Sequence, residues 1–128
     1  MKFRYATLFV ADVPRALAFY EAAFGLTASF VHESGQYAEL ATGVTRLSLS
    51  AHALARDVVG IPHAEPSRDR PPPPLEIAFG VDDVAASYAR AVAAGAVVVR
   101  SPTPMPWGQT VAYLRDVDGV LVSLVQGD

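Results

Sequence analysis

The side chains best suited to chemistry in this sequence are one glutamate and three histidines. Glu76 opens the apolar stretch Glu-Ile-Ala-Phe-Gly-Val, and its carboxylate could bind a divalent metal, transfer a proton or pair with a cationic group. His32, His52 and His63 form no i, i+4 helical pair and no other spacing typical of metal ligands. They are therefore interpreted as surface or loop residues. A site combining Glu76 with His52 stays open, because the segment after residue 50 could fold back over a pocket.

A second group of candidates could hold a ligand without transforming it. Trp107 lies between Pro106 and Gly108, where its flat face could stack on a planar or cationic ligand or could plug a loop. Ser123 interrupts the apolar run Val-Leu-Val-Ser-Leu-Val near the C-terminus. The strand register decides which of the remaining aromatic and polar candidates face a pocket, namely Phe30, Tyr37, Gln109 and Tyr113.

Composition excludes several classes of function. The chain has 128 residues, the size of one domain, and its net charge of −3 argues against nucleic acid or an anionic membrane as a partner. The absence of cysteine excludes disulfides, thiolate metal sites and a cysteine nucleophile. No apolar run has the ~20 residues of a membrane span, and Asp12 and Pro14 interrupt the N-terminal apolar run, so we expect a cytoplasmic protein.

The elements that position these residues come from an internal repeat. Val10 and Val81, Asp12 and Asp83, and Val13 and Val84 are all separated by 71 positions. In each copy an alternating apolar strand ends at an aspartate that can cap the next helix, and the helix runs to a glycine that can end it.

Three further strand-like stretches follow each helix, so the sequence predicts an α+β fold of two tandem βαβββ modules. The predicted strands are 27–33, 36–42 and 45–50 in the first module, and 96–100, 109–115 and 120–126 in the second. The first module covers about residues 1–50 and the second about 75–128. The segment 51–74 holds six of the ten prolines, four of them consecutive, and is predicted to be a stiff, extended linker.

This duplicated pattern resembles the vicinal oxygen chelate superfamily of glyoxalases, bleomycin resistance proteins and extradiol dioxygenases. The resemblance rests on LFVADVPRALAFYEAAFGL (8–26), IAFGVDDVAASYARAVAAGA (77–96) and WGQTVAYLRDVDGVLVSL (107–124). It departs from the family at Val117, where a proline is usual. It implies a single domain whose two modules curl into a cup around a pocket.

The resemblance also implies which residues form the floor of the cup. In metal-dependent members four His or Glu side chains bind the metal there, and the matching positions hold Tyr5, Ser48, Glu76 and Ser123, with the register uncertain by about one residue at Ser48. Only Glu76 is a credible metal ligand in this set, because serine and a neutral phenol do not replace the missing donors.

The prediction is therefore a metal-independent protein that binds a partly aromatic, possibly cationic small molecule, as the bleomycin resistance branch does with drugs. The ligand-binding residues predicted are Tyr5, Ser48, Glu76, Trp107, Gln109, Tyr113 and Ser123, with no catalytic residue and no cofactor. One alternative is a glyoxalase- or dioxygenase-like enzyme with a divalent metal such as Zn, Ni, Fe or Mn. Another is a metal-free enzyme in which Glu76 or Tyr5 transfers a proton. The resemblance further implies a homodimer, which the stiff linker could make module-swapped.

Overall fold

A computed structural model describes residues 1–127, which hold three helices and eight strands arranged as two four-stranded sheets. The predicted α+β class and the two βαβββ modules are confirmed. The elements follow one another in the order β1 (Tyr5–Val10), α1 (Val13–Phe24), β2 (Ala28–Val31), β3 (Tyr37–Leu40), β4 (Arg46–Ala51), α2 (His52–Val59), β5 (Glu76–Gly80), α3 (Val84–Ala93), β6 (Val97–Pro104), β7 (Thr110–Arg115) and β8 (Leu121–Gln126).

The first sheet has the strand order β1-β4-β3-β2 and belongs to a compact unit made of Met1–Glu21 and Gly25–Glu65. Strand β1 runs parallel to β4, whereas β3 is antiparallel to both of its neighbours. Alternate residues of each strand point to opposite faces, so one face buries apolar side chains and the other carries polar ones. The apolar face includes Leu8, Val10, Ala38, Leu47 and Leu49.

Local sequence explains where helix α1 begins and ends. The side chain of Asp12 accepts a hydrogen bond of 2.9 Å from the Arg15 amide, which satisfies one free N–H of the first turn. Pro14 lies in that first turn, where no intrahelical N–H bond is lost. The helix ends at Gly25, whose φ of 69° is the left-handed conformation that glycine adopts readily.

The second sheet repeats this order as β5-β8-β7-β6, within a unit made of Ala22–Phe24 and the chain from Pro66 onwards. Asp83 caps α3 by accepting a hydrogen bond of 3.0 Å from the Ala86 amide. The Gln126 side chain accepts another of 2.9 Å from the Val84 amide. Helix α3 packs across β6, β7 and β8. Strand β6 is longer than predicted, and its prolines are tolerated because it pairs with β7 alone.

The prediction of an extended spacer over 51–74 is wrong for its first part. His52–Val59 form helix α2, which packs against β4 and β1 and buries His52 and Ala55 one helical turn apart. The first unit therefore extends to Glu65, past the predicted end of the first module. The composition of the whole segment is dominated by the four prolines at 71–74, whereas its first residues have helical periodicity. The four prolines themselves lie outside any helix or strand.

Among the helices of residues 1–127, none is both long and apolar enough to span a membrane.

Candidate functional site

The strand register places Ser48 and Ser123 at equivalent positions of the two sheets. Ser48 lies across from Thr7, the third residue of β1, and Ser123 lies across from Ala78, the third residue of β5. Both serines are fully buried, with 0% of their surface exposed. Ser48 is therefore the counterpart of Ser123 in the first sheet.

In the second module, the side chain of Ser123 contacts that of Glu76 directly. Its hydroxyl donates a hydrogen bond of 3.1 Å to Oε1 of Glu76. Glu76 lies at the start of β5 and is exposed, whereas Tyr113 lies across from Ser123 on β7 and is half-buried. Because strand pairs share a face, Glu76, Tyr113 and Ser123 lie on one face of this sheet. That face joins a carboxylate, a hydroxyl and an aromatic ring.

Trp107 and Gln109 belong to the turn that joins β6 to β7. The indole Nε1 of Trp107 donates a hydrogen bond of 2.8 Å to Oε1 of Gln109, and the Gln109 amide reaches the Gly127 carbonyl at 3.5 Å. The indole is 64% exposed. Trp107 therefore does not fill a gap within the second module.

In the first module, Tyr5 lies at the start of β1 and is 40% exposed. The guanidinium carbon of Arg4 lies 5.6 Å from the centre of its ring, within the range of a cation–π contact. Tyr5 pairs with Arg46 on β4. An open depression of about 210 Å³ at this end of the sheet is lined by Lys2, Phe3, Arg4, Tyr5, Val44 and Arg46.

A cluster that the sequence did not predict lies on the same face of the first sheet. We call Tyr37, Glu39, Arg46 and Ser48 the Glu39 cluster. Arg46 Nη1 lies 3.0 Å from Glu39 Oε2 in an ion pair. The Tyr37 hydroxyl lies 3.2 Å from Glu39 Oε1 and 3.2 Å from Ser48 Oγ. A phenol has one proton to donate, so it donates to the stronger acceptor, the carboxylate, and the Ser48 hydroxyl donates to the phenol oxygen.

The environment of Tyr37 keeps its phenol protonated. Burial raises its pKa above the usual 10.0, and the negative charge of Glu39 raises it further, while the hydrogen bond with Ser48 opposes this rise. Tyr37 therefore acts as a neutral hydrogen-bond donor inside the Glu39 cluster.

Beside the cluster lies a second open depression, of about 290 Å³, lined by Ser29, Phe30, Glu39 and Arg46. Of these residues only Phe30 was a candidate from the sequence. Glu39 could have been found from its parity, because it follows Tyr37 by two residues in a strand and so shares its face. Arg46 could not, because its partner lies on another strand.

The interpretation of His52 as a surface or loop residue is wrong. His52 is only 6% exposed, because α2 turns it into the first unit. Its Nδ1 lies 2.7 Å from Nε2 of His63, and its Nε2 lies 3.6 Å from Oε1 of Glu65. Arg56 completes the group with a contact of 2.9 Å to the other oxygen of Glu65. His32, by contrast, is exposed and hydrogen-bonded to Ser34 at 2.8 Å.

Comparison with known proteins decides the family. The sequence model of the glyoxalase/bleomycin resistance protein/dioxygenase superfamily matches residues 2–124. The chain belongs to this superfamily. The resemblance predicted from the repeat and from the closing hairpin is thereby confirmed.

Two relatives of this superfamily member carry the names of enzymes. A Mycobacterium bovis protein, "Putative glyoxylase CFP32", is 35% identical over 111 residues, which is 87% of this chain and 38% of that protein. A Vibrio cholerae protein, "Probable lactoylglutathione lyase", is 43% identical over 51 residues, which is 39% of this chain and 37% of that protein. The chain thus spans less than two fifths of the length of either relative.

Solved structures agree with the fold across nearly the whole chain. A glyoxalase-related enzyme from Fulvimarina pelagi has a TM-score of 0.87 at 22% identity, covering 99% of this chain and 88% of that one. TioX from Micromonospora sp. ML1 has a TM-score of 0.73 at 21% identity, covering 98% of both chains. At these identities the likeness shows the fold alone.

The four side chains that the resemblance matches to metal ligands do not have the chemistry of such a metal centre. Tyr5, Ser48, Glu76 and Ser123 offer one carboxylate and no imidazole, and divalent metals bind neutral hydroxyls poorly. Throughout residues 1–127, no group of three or more His, Asp or Glu side chains is placed so that it could hold a metal ion.

Proposed function

We propose that this superfamily member is a metal-independent protein that binds a small, partly aromatic molecule on the polar face of its second sheet. The observation that carries the proposal is the contact between Ser123 and Glu76. Where a metal-dependent relative would need a second ligand, this chain has a buried hydroxyl that donates a hydrogen bond to one oxygen of the Glu76 carboxylate. A ligand, and not a metal, is then the partner for the remaining capacity of Glu76.

The second module supports a ligand with both aromatic and cationic character. Glu76 is exposed and offers its second oxygen to a cationic group, whereas Tyr113 lies on the same face and presents part of its ring. Trp107 adds an exposed indole that suits stacking on a planar cation. Binding sites for small molecules commonly combine aromatic surfaces with a few such polar groups.

A glyoxalase-like enzyme is the second candidate function, and the names of the two relatives favour it. Metal-dependent catalysis would need ligands other than the four floor residues. Metal-free catalysis would use Glu76 as a general base, within reach of a substrate held against Tyr113.

Two measurements test this proposal. Native mass spectrometry of the purified protein, without chelator, is expected to show no stoichiometric metal, and a dimer mass would support the homodimer that we also propose. A stoichiometric divalent metal would contradict metal independence and direct attention to the enzyme. A monomeric mass at micromolar concentration would contradict the homodimer alone.

Titration calorimetry with benzyltrimethylammonium, an aromatic cation, tests the role of Glu76. Glu76→Gln is expected to weaken binding by about tenfold or more, since a charged contact is lost. Glu33→Gln removes the same charge from an exposed turn and is the matched control. Equal affinities in wild type and Glu76→Gln would contradict a cationic ligand. Turnover of methylglyoxal–glutathione hemithioacetal that is lost in Glu76→Gln would favour the enzyme.

A further inference from the structure

We propose that Arg46 forms an oxyanion-binding site on the first module, and that its ligand is the carboxylate of a small organic acid with a flat apolar body. This site goes beyond the proposed function. Arg46 and the depression beside it lie in the first unit, whereas Glu76, Ser123 and Trp107 lie in the second. Either binding activity can therefore fail without the other.

The guanidinium of Arg46 is anchored at one edge and open at the other. Its Nη1 contacts Glu39, and within residues 1–127 Glu39 is the single side-chain partner of this guanidinium. The Arg46 side chain is 47% exposed, and it lines each of the two depressions described above. A planar guanidinium with free N–H groups binds a carboxylate through two parallel hydrogen bonds.

Glu39 holds this fork in place from a largely buried position. Its side chain is only 12% exposed, and both of its oxygens are occupied, one by Arg46 and the other by Tyr37. The Tyr37 phenol is in turn held by buried Ser48. This chain of contacts fixes one edge of the guanidinium, so little side-chain entropy is lost when an anion binds at the other edge.

The lining of the depression selects a monoanion attached to an apolar group. Phe30 lies across from Glu39 on β2 and is 47% exposed, so its ring can cover the apolar body of a ligand. Arg46 and Glu39 are the charged residues of this lining. A dianionic phosphate would feel twice the repulsion from Glu39 that a carboxylate feels. The same fork geometry accepts both oxyanions, so the experiment must separate them.

The test compares three probes of similar shape by calorimetry, with amide NMR shifts to locate them. Benzoate is the carboxylate, phenyl phosphate is the phosphate and benzamide is the neutral control. We expect benzoate to shift the amides of β3 and β4 and to bind about tenfold or more tightly than benzamide. Tighter binding of phenyl phosphate than of benzoate would overturn the carboxylate assignment. Equal binding of benzoate and benzamide would overturn the oxyanion site.

Variants decide whether Arg46 is responsible. Arg46→Met is expected to abolish the preference for benzoate over benzamide, whereas Arg70→Met, which removes the same charge from an exposed segment, is expected to leave it within about twofold. Should Arg46→Met fail to fold because Glu39 loses its partner, Arg46→Lys keeps the charge but loses the fork and should still weaken benzoate binding severalfold. Unchanged benzoate binding in a folded Arg46 variant overturns the proposal.

Discussion

Glu39 and Tyr113 stand at equivalent positions of the two sheets, each directly across an antiparallel strand pair from a buried serine. Glu39 lies across from Ser48, and Tyr113 lies across from Ser123. The backbone pattern is the same in both modules, yet one position carries a charge paired with Arg46 and the other an aromatic ring. The repeat therefore gives both sheets the same strand pairing, but the side chain at this position is a carboxylate in the first module and an aromatic ring in the second.

Ser123→Glu is expected to destabilise the protein by about 3 kcal/mol, because it places a second carboxylate at a fully buried position within reach of Glu76. Urea denaturation at neutral pH measures the change. Ser123→Gln has the same size without the charge and separates steric cost from repulsion. Equal losses of stability in the two variants would show that charge is not the cause.

Ionisation of Tyr37 is expected to lower the free energy of unfolding of the protein in alkaline solution. Its pKa is raised in the folded protein, so the folded state holds the phenolic proton more tightly than the unfolded state. This contribution is fully present below the ordinary pKa of 10.0 and is lost as pH rises through the folded value. Urea midpoints from about pH 8 to about pH 11 should therefore decline less steeply for Tyr37→Phe than for wild type. Parallel curves would contradict this.

Glu65 is expected to stabilise the α2 region only above acidic pH. The hydrogen bond from Arg56, and then the charge of His52, lower the pKa of Glu65 below its usual 4.5. A lowered pKa contributes stability that is present above 4.5 and lost as pH falls through the folded value. The free energy of unfolding of wild type and Glu65→Gln should converge as pH falls below that range.

The matched control for this experiment is Glu33→Gln, whose side chain is exposed in a turn. Its difference from wild type should stay nearly constant over the same pH range. If the free energies of unfolding of wild type and Glu65→Gln instead keep the same difference as the pH falls, the charged contact between Arg56 and Glu65 contributes no stability.

Gly119→Ala is expected to destabilise by about 3 kcal/mol or more. Gly119 has a φ of 91°, and an added Cβ would collide with the backbone of Ser67 and with the Arg115 guanidinium. Gly43→Ala has a similar φ of 100° with open space around the new methyl group, so it reports backbone strain alone. Thermal unfolding of both variants measures the difference. Equal losses would mean that the contact with Ser67 is readily relieved.

The collision at Gly119 would also disturb Arg115, which binds residues 67 and 68 to the last hairpin. Its guanidinium donates to the carbonyls of Ser67, Arg68 and Gly119 at 2.8, 3.1 and 2.9 Å. The hairpin itself was predictable, since Asp118 and Gly119 form a turn between two apolar runs. The contact with residues 67 and 68 was not, because it joins positions far apart in sequence.

Prediction from sequence succeeded where the physical cause is local. Asp12 and Asp83 mark the starts of α1 and α3 because a carboxylate accepts hydrogen bonds from the first free amides of a helix. It failed at His52, because the burial of that side chain depends on α2 packing against β1 and β4. Helix α2 was not predicted, because the contacts that stabilise it are made with β1 and β4 and the prolines that follow it favour an extended chain.

The amino-acid sequence was enough to predict the duplicated βαβββ frame, since periodicity and helix caps are properties of the chain order. The superfamily followed from a resemblance of the repeated stretches and the closing hairpin, which the match over residues 2–124 confirms. Which side chains meet depends on the tertiary structure. The hydrogen bond between Ser123 and Glu76 and the ion pair between Arg46 and Glu39 each join different strands, and their existence depends on a register that no single strand contains. The candidate chemistry of both modules lies in those cross-strand contacts.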